Sequence, residues 1–172
     1  MTSERNASSA GQNDRAMEPV ERNGWRIYVW SEFRSTWTTL RQEVEELARK
    51  SPDTYRQHPK TIFLRDVRDL ILSQVPADPG ADRYQHGSKL GAKYRHWRRA
   101  KFRGRFRLFF RYSSAHKTII YVWLNDKDSL RKEGSRSDPY FVFRSMLERH
   151  RPPTDWNALL AECIALPAAE AG

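Results

Sequence analysis

The stretch that decides how this chain folds is YRHWRRAKFRGRFRLFFRYSSAHKTIIYVWL, residues 94–124. Turn-forming residues at Gly104 and at Ser113–His116 divide it into three extended segments, Arg95–Arg103, Phe106–Tyr112 and Lys117–Leu124. Side chains alternate along a strand, so in the middle segment Phe106, Leu108, Phe110 and Tyr112 share one face. Arg107, Phe109 and Arg111 occupy the other. The first is a core face, and the second has to be solvated or to bind something.

Toward the N-terminus, Trp25–Trp30 (WRIYVW) is aromatic and β-branched and predicts a short strand. Phe33, Trp37, Leu40, Val44 and Leu47 then step by four, three, four and three residues, which places them on one face of a helix. Arg41, Glu45, Arg49 and Lys50 lie on its other side, and Ser51-Pro52-Asp53 ends it. A second helix is predicted from about Thr61, after Pro59, burying Phe63, Val67, Leu70 and Ile71 and stopping before Pro76. Residues 76–91 are rich in Pro, Gly and Asp and read as an irregular loop.

Toward the C-terminus, a polar loop over Asn125–Asp138 leads to a helix over Pro139–His150, with Pro139 in its first turn. A final helix is expected from about Asp155 to Leu166. The fold class is therefore α+β: an N-terminal strand, two helices, three strands of a small antiparallel sheet and C-terminal helices, with the helices packed on one face. Residues 1–23 are too polar to offset the entropy of ordering and are expected to be a flexible tail, as are residues 167–172. Residues 24–166 form the expected domain.

The 172 residues suit one domain. Thirty-one Lys and Arg against 21 Asp and Glu leave a net charge of +10 and a pI near 10.0. Such a balance concentrates polyanions, with nucleic acid the first partner to consider and an anionic membrane surface the second. Cys163 is the single cysteine, which suits a reducing compartment. The opening residues hold no apolar run of the signal-peptide kind, and no stretch approaches the roughly 20 apolar residues of a membrane span. The expectation is a soluble, cytoplasmic protein without a membrane partner.

Residues 94–112 carry Arg95, Arg98, Arg99, Lys101, Arg103, Arg105, Arg107 and Arg111 and no acidic residue. Like charges on neighbouring strands repel, so an anionic partner is expected to relieve them. Trp97, Phe102 and Phe109 are interleaved, either to stack on unpaired bases or as core. A Gly-rich phosphate loop, a metal-spaced His/Cys set and a nucleophile elbow are all missing. Of the histidines at 58, 86, 96, 116 and 150, His96 lies in the basic strand and is a candidate proton shuttle, or else a polar surface residue. Asp126 and Asp128 could hold a cation, but balancing Lys127 and Arg131 is the plainer reading. Neither a metal nor a cofactor is expected.

Five stretches resemble the YhaV toxins, a branch of the RelE/ParE-like superfamily: GWRIY at 24–28, LGAKYRHWRRAKF at 90–102, RFRLFFRY at 105–112, YVWLNDKDSLRKEGSRSDPYFVFRSMLE at 121–148 and PPTDWNALLAE at 152–162. They span nearly all of residues 24–163 in the family's order. The resemblance implies a RelE-like fold, an endoribonuclease that stalls growth by destroying mRNA, and a PrlF-type, AbrB-like antitoxin. Operator DNA would be met through the antitoxin complex. It also implies site residues. Arg99 and Lys101 match the basic pair before the hairpin, Arg107 the strand arginine, and Tyr140 the tyrosine that opens the following helix. The basic residue after the last strand is Lys127, Arg131 or Arg136, because the loop here is longer.

In such a site the RNA's own 2′-hydroxyl attacks, and fixed guanidinium groups stabilise the charge that builds on the phosphorane oxygens. Arg107 is cast in that role, with Arg131 or Arg136 closing from the loop. Lys101, crowded by Arg99 and Arg103, is expected to accept the 2′-hydroxyl proton, with His96 or Tyr140 as alternatives. Tyr140 or Arg107 would protonate the leaving oxygen. Arg95, Arg98, Arg103, Arg105, Arg111, Lys127 and Arg136 are expected to contact RNA, with or without a ribosome. Two rival readings stay open: a toxin of the same fold that poisons DNA gyrase, and a nucleic-acid-binding module without activity.

Overall fold

In the computed structural model, which describes residues 18–171, folded structure begins before Gly24. Val20 is buried, and a two-residue strand β1 (Glu21–Arg22) turns back through Asn23-Gly24 to pair with β2 (Trp25–Val29). The expected domain start at residue 24 therefore moves back, and residues 1–17 of the expected tail lie outside the described residues. β2 leads into α1 (Ser31–Lys50), which buries Phe33, Trp37, Leu40 and Val44 at the spacing read from the sequence. Glu32 in its first turn and Arg49 and Lys50 in its last complement the helix dipole.

α2 (Pro59–Asp69) starts earlier than expected, with Pro59 in its first turn and His58 Nδ1 accepting the Lys60 N–H at 3.1 Å as the cap. It does not stop before Pro76. It widens into a π-type turn over Leu70–Gln74 and continues as α3 (Val75–Ala77). Pro76 has no N–H for a regular α ladder, and the widened turn beside it accommodates that loss.

The three central strands follow: β3 (Arg98–Phe102), β4 (Phe106–Ser113) and β5 (Thr118–Leu124). Arg103 and Gly104, both left-handed at φ 45° and 72°, make the tight β3–β4 turn, where glycine has no steric penalty. The sheet runs β1-β2-β5-β4-β3. Its pairs are antiparallel except β2–β5, which are parallel with Ile27 opposite Ile119. The chain leaves β2 through α1 and α2 and re-enters the sheet at its far edge, so β5 returns beside β2 in the same direction.

α4 (Pro139–Glu148) and α5 (Trp156–Ala161) come next. The final helix expected to reach Leu166 ends at Ala161. The chain then forms β6 (Ile164–Ala165), which pairs antiparallel with the outer side of β2. The expected tail at 167–172 holds a last helical turn, α6 (Ala168–Ala171), with Ala171 buried and Arg41 bonded to Glu170 at 2.9 Å.

The larger correction concerns layers. α1 and α2 pack on Leu108, Phe110, Ile119 and Tyr121, but the other face is covered too. There Phe109, Ile120 and Val122 meet Trp97, Phe143, Leu147 and Leu159. Residues 118–122 of β5 are buried without interruption, as in a strand covered on both sides. The alternation read for β4 holds. Its second face is roofed by α4 and α5 over most of its length rather than left to solvent.

Candidate active site

The register of β3 and β4 assembles the centre. Lys101 stands opposite Arg107 and Arg99 opposite Phe109, so Arg99, Lys101 and Arg107 share the face that α4 partly covers. Tyr140, in the first turn of α4, points its hydroxyl at the strand arginines. Arg99 Nε donates to that oxygen at 2.7 Å and Arg107 Nε at 3.2 Å. Tyr140, Arg107 and Arg99 are 5%, 7% and 9% exposed, whereas Lys101 is open to solvent.

Both guanidinium groups are steered by neutral acceptors. Arg99 Nη1 donates to the Arg83 carbonyl at 2.7 Å, and Arg107 Nη1 to the carbonyls of Gly104 and Phe106 at 2.7 and 2.8 Å. Among the described residues neither arginine has a carboxylate partner, and neither Nη2 has a hydrogen-bond partner. Carbonyls and a phenol orient a cation without cancelling its charge. The two positive charges therefore stay available to an anion, with donors fixed in advance.

The loop over 125–138 closes the site through two residues that the sequence reading missed. Asn125 is buried at the end of β5, and its Oδ1 accepts the Arg107 N–H at 2.6 Å. Its Nδ2 donates to the carbonyls of Ser129 and Arg105 at 2.7 and 3.2 Å, so one side chain joins the loop to the β3–β4 turn. Asp138 is also buried, and its carboxylate accepts from Arg131 Nη1 at 2.6 Å, Lys132 N at 2.8 Å and Tyr140 N at 3.1 Å. This caps α4 and holds Arg131 over the Tyr140 ring at 4.9 Å. The hydrogen bond to Asp138 raises the Arg131 pKa above its ordinary value. The Asp-Pro-Tyr order at 138–140 was a legible helix-start signal. Asn125 carried none.

The remaining expected residues separate into groups. Arg103 turns to the α2 side, paired with Asp66 at 2.8 Å and lying over Phe63, so it does not crowd Lys101. Arg111 is held between Trp97 and Trp156, at 5.5 and 5.4 Å from their ring centres, and donates to the Thr154 carbonyl. Burial lowers its pKa. His96 belongs with this group: burial, then Arg111 and Arg98, hold its pKa below the ordinary histidine value. Arg98 itself donates to the Arg95 carbonyl at 2.9 Å and lies over Tyr112.

Arg105 Nε donates to the Arg131 carbonyl at 3.1 Å, while Arg95, Lys127 and Arg136 are exposed. Trp97, Phe102 and Phe109, considered for base stacking, are buried. The expected pairing of Asp126 and Asp128 with Lys127 and Arg131 is not found. Asp126 accepts from Asp128 N and Ser129 Oγ within its own turn, and Arg131 goes to Asp138. Among the described residues no three His, Cys, Asp or Glu side chains gather as a metal site, and no helix is long and apolar enough to cross a membrane. Burial pushes the Cys163 thiol up to about 12, which leaves it a poor nucleophile near neutral pH.

Paired guanidinium groups meeting a phenol on a sheet face, edged by further cations, offer an anion such as a phosphodiester fixed donors, which is the chemistry an enzyme of the nuclease class needs. The particular family follows from comparison. The model of the YhaV toxin family, described as a toxin with endonuclease activity of a toxin–antitoxin system, matches residues 27–164, and this chain belongs to that family. It is 41% identical over 146 residues to "Ribonuclease toxin YhaV" of Escherichia coli K12, covering 84% of this chain and 95% of that one. "Toxin YhaV" of E. coli O6:H1 is similar to the same extent, 41% over 146 residues. No solved structure matches.

Proposed function

We propose that this toxin is an endoribonuclease that cuts mRNA through the RNA's own 2′-hydroxyl, without a metal, and stalls growth until a PrlF-type, AbrB-like antitoxin neutralises it. The observation that carries the reading is the Tyr140 hydroxyl held between Arg99 Nε and Arg107 Nε. Two fixed cations suit a scissile phosphate, whose oxygens gain charge as the phosphorane forms. With both guanidinium groups donating to its oxygen, the Tyr140 proton is free to point away from them, toward a leaving 5′-oxygen. Lys101, exposed and opposite Arg107 but not crowded by Arg103, adds a cation at the open edge of the site, where the 2′-hydroxyl proton passes to solvent water. Arg131, paired with the buried Asp138, holds the loop and the Tyr140 ring in place rather than adding a free cation. His96, grouped with Arg98 and Arg111, is left out of the chemistry. The exposed Arg95, Arg105, Lys127 and Arg136 are assigned to RNA backbone contacts.

The experiment is incubation of purified toxin with a mixed-sequence RNA, with and without EDTA and with and without translating ribosomes. Cutting that leaves a 2′,3′-cyclic phosphate and survives EDTA is the expected result. Products with a 3′-hydroxyl and 5′-phosphate would overturn the 2′-hydroxyl route, and intact RNA in every arm would overturn the ribonuclease reading. Cutting confined to the ribosome arm would assign the toxin a ribosome-bound substrate.

A further inference from the structure

The sequence suggested aromatic side chains on the central strands as platforms for bases, and the fold buries all of them. Among the described residues one Phe, Tyr or Trp is exposed: Phe141, at 51%. It follows Tyr140 directly and lines a cleft of about 230 Å³ in which Lys89, Arg131 and Arg144 face the carboxylates of Glu133 and Asp138. An aromatic ring left in water beside the exposed cations Lys89 and Arg144 has no role in the core, which α4 already serves with Tyr140, Phe143 and Leu147.

We infer that this cleft is a nucleotide subsite, in which an unstacked base of single-stranded RNA lies on the Phe141 ring and Lys89 and Arg144 hold the adjoining phosphates. The inference rests on the ribonuclease reading and names an RNA-binding element for it. Two shared residues connect cleft and centre: Tyr140 and Arg131 line the cleft, while the Tyr140 hydroxyl faces Arg99 and Arg107. A nucleotide seated there is a neighbour of the phosphate between the two arginines. The present partners of the outer cations yield easily. Lys89 and Glu133 are 3.8 Å apart and both exposed, and Arg144 pairs with Glu148 on an exposed helix face. Such surface pairs are worth little and are readily exchanged for a phosphate. Arg131 stays with Asp138, which answers its charge and fixes it over the Tyr140 ring as a wall of the cleft.

A ring exposed on one side stacks on any base, which predicts tight binding with modest sequence preference at this position. The test is fluorescence anisotropy with a mixed-sequence, single-stranded 2′-O-methyl RNA, which has no free 2′-hydroxyl and cannot be cut by that route. An abasic strand of the same length serves as the second probe. Phe141→Ala should bind the base-bearing strand about ten-fold more weakly. It should bind the abasic strand as wild type does, and Phe141→Trp should restore affinity. Arg144→Gln should flatten the salt dependence on both strands by about one phosphate contact. Equal binding of the base-bearing strand by wild type and Phe141→Ala would overturn the subsite, as would an equal loss on both strands. Loss of antitoxin affinity in Phe141→Ala with RNA binding unchanged would overturn it in favour of a protein contact. These outcomes are separable from failure of the ribonuclease reading, which is judged by whether wild-type toxin cuts ordinary RNA.

Discussion

Arg99 on β3 donates its Nε–H to the hydroxyl of Tyr140 on α4 at 2.7 Å, joining residues 41 apart in the chain. That bond brings the first turn of a C-terminal helix onto an edge strand of the sheet, with Arg107 completing the triangle at 3.2 Å. Removing the oxygen alone is therefore the most discriminating change. Tyr140→Phe keeps the ring against Phe109 and beneath Arg131. It should lower the single-turnover cleavage rate at least about 100-fold, the usual scale for losing a general acid. The fold should survive but lose about 1–3 kcal/mol, because two buried arginine Nε–H groups lose their acceptor, so the rate is compared at a temperature well below the melting transition. Cleavage by Tyr140→Phe at the wild-type rate would remove the phenol from the chemistry.

Arg107 has a structural duty besides its proposed catalytic one. Its Nη1 binds two carbonyls at the β3–β4 turn, so Arg107→Ala should abolish growth arrest and also destabilise the fold by about 1–3 kcal/mol. Arg107→Lys keeps the charge and loses the forked donor geometry, so it should retain the fold and still fail to arrest growth. Full toxicity of Arg107→Lys at wild-type expression, read alongside its melting temperature, would refute the role of the fork.

Asn125 is expected to be the costliest polar side chain near the site to remove. Asn125→Ala strands the Arg107 N–H and the Ser129 carbonyl in a buried place, while the Arg105 carbonyl keeps its bond from the Arg131 N–H. Unmet buried groups cost about 1–3 kcal/mol each where water cannot reach them, so a total loss of about 2–4 kcal/mol in urea unfolding is expected. An unfolding midpoint like that of wild type would show the loop to be pinned from elsewhere.

Stability should fall in mild acid. His86 is buried, with Nε2 at 2.8 Å from the Tyr94 carbonyl and Nδ1 accepting from Leu90 N, an arrangement that suits the neutral ring. Burial, aided by Arg98 and Arg99, holds its pKa below the ordinary value despite the pull of the Tyr94 carbonyl, and His96 is lowered as well. The unfolded chain thus binds protons more readily than the folded one just below about pH 6.5. The stabilisation is present above that pH and is lost as pH falls through the folded pKa. Urea midpoints measured from about pH 7.5 down to about 5.5 should decline, and His86→Gln should flatten the decline. An unchanged slope in that variant would dismiss His86 as its source.

The antitoxin is expected to cover the basic centre directly. Hydrogen exchange on toxin alone and in complex should show new protection over residues 94–112 or 125–140, with part of the affinity lost as salt rises. Unchanged exchange across both segments would mean neutralisation from a remote surface, and would count against this placement of the centre.

Much of this molecule was legible as a string. The four-three spacing of Phe33, Trp37, Leu40 and Val44 predicted α1, and the alternation in RFRLFFRY predicted both faces of β4. These features are local, because helix and strand periods bring near neighbours in sequence to one face. The cationic run at 94–112 was equally plain, and so was the resemblance that implied Arg99, Lys101, Arg107 and Tyr140 as candidate site residues. What the tertiary structure decided was which of those cations remain free. Arg103 is taken by Asp66 and Arg111 by Trp97, Trp156 and the Thr154 carbonyl, partners distant in sequence and unmarked by any motif. Arg99 and Arg107 instead find carbonyls and a phenol, which position them and leave their charge intact. A residue's type sets the charge it carries, but whether a carboxylate, an aromatic cage or an incoming phosphate answers that charge depends on what long-range packing brings within about 3–6 Å.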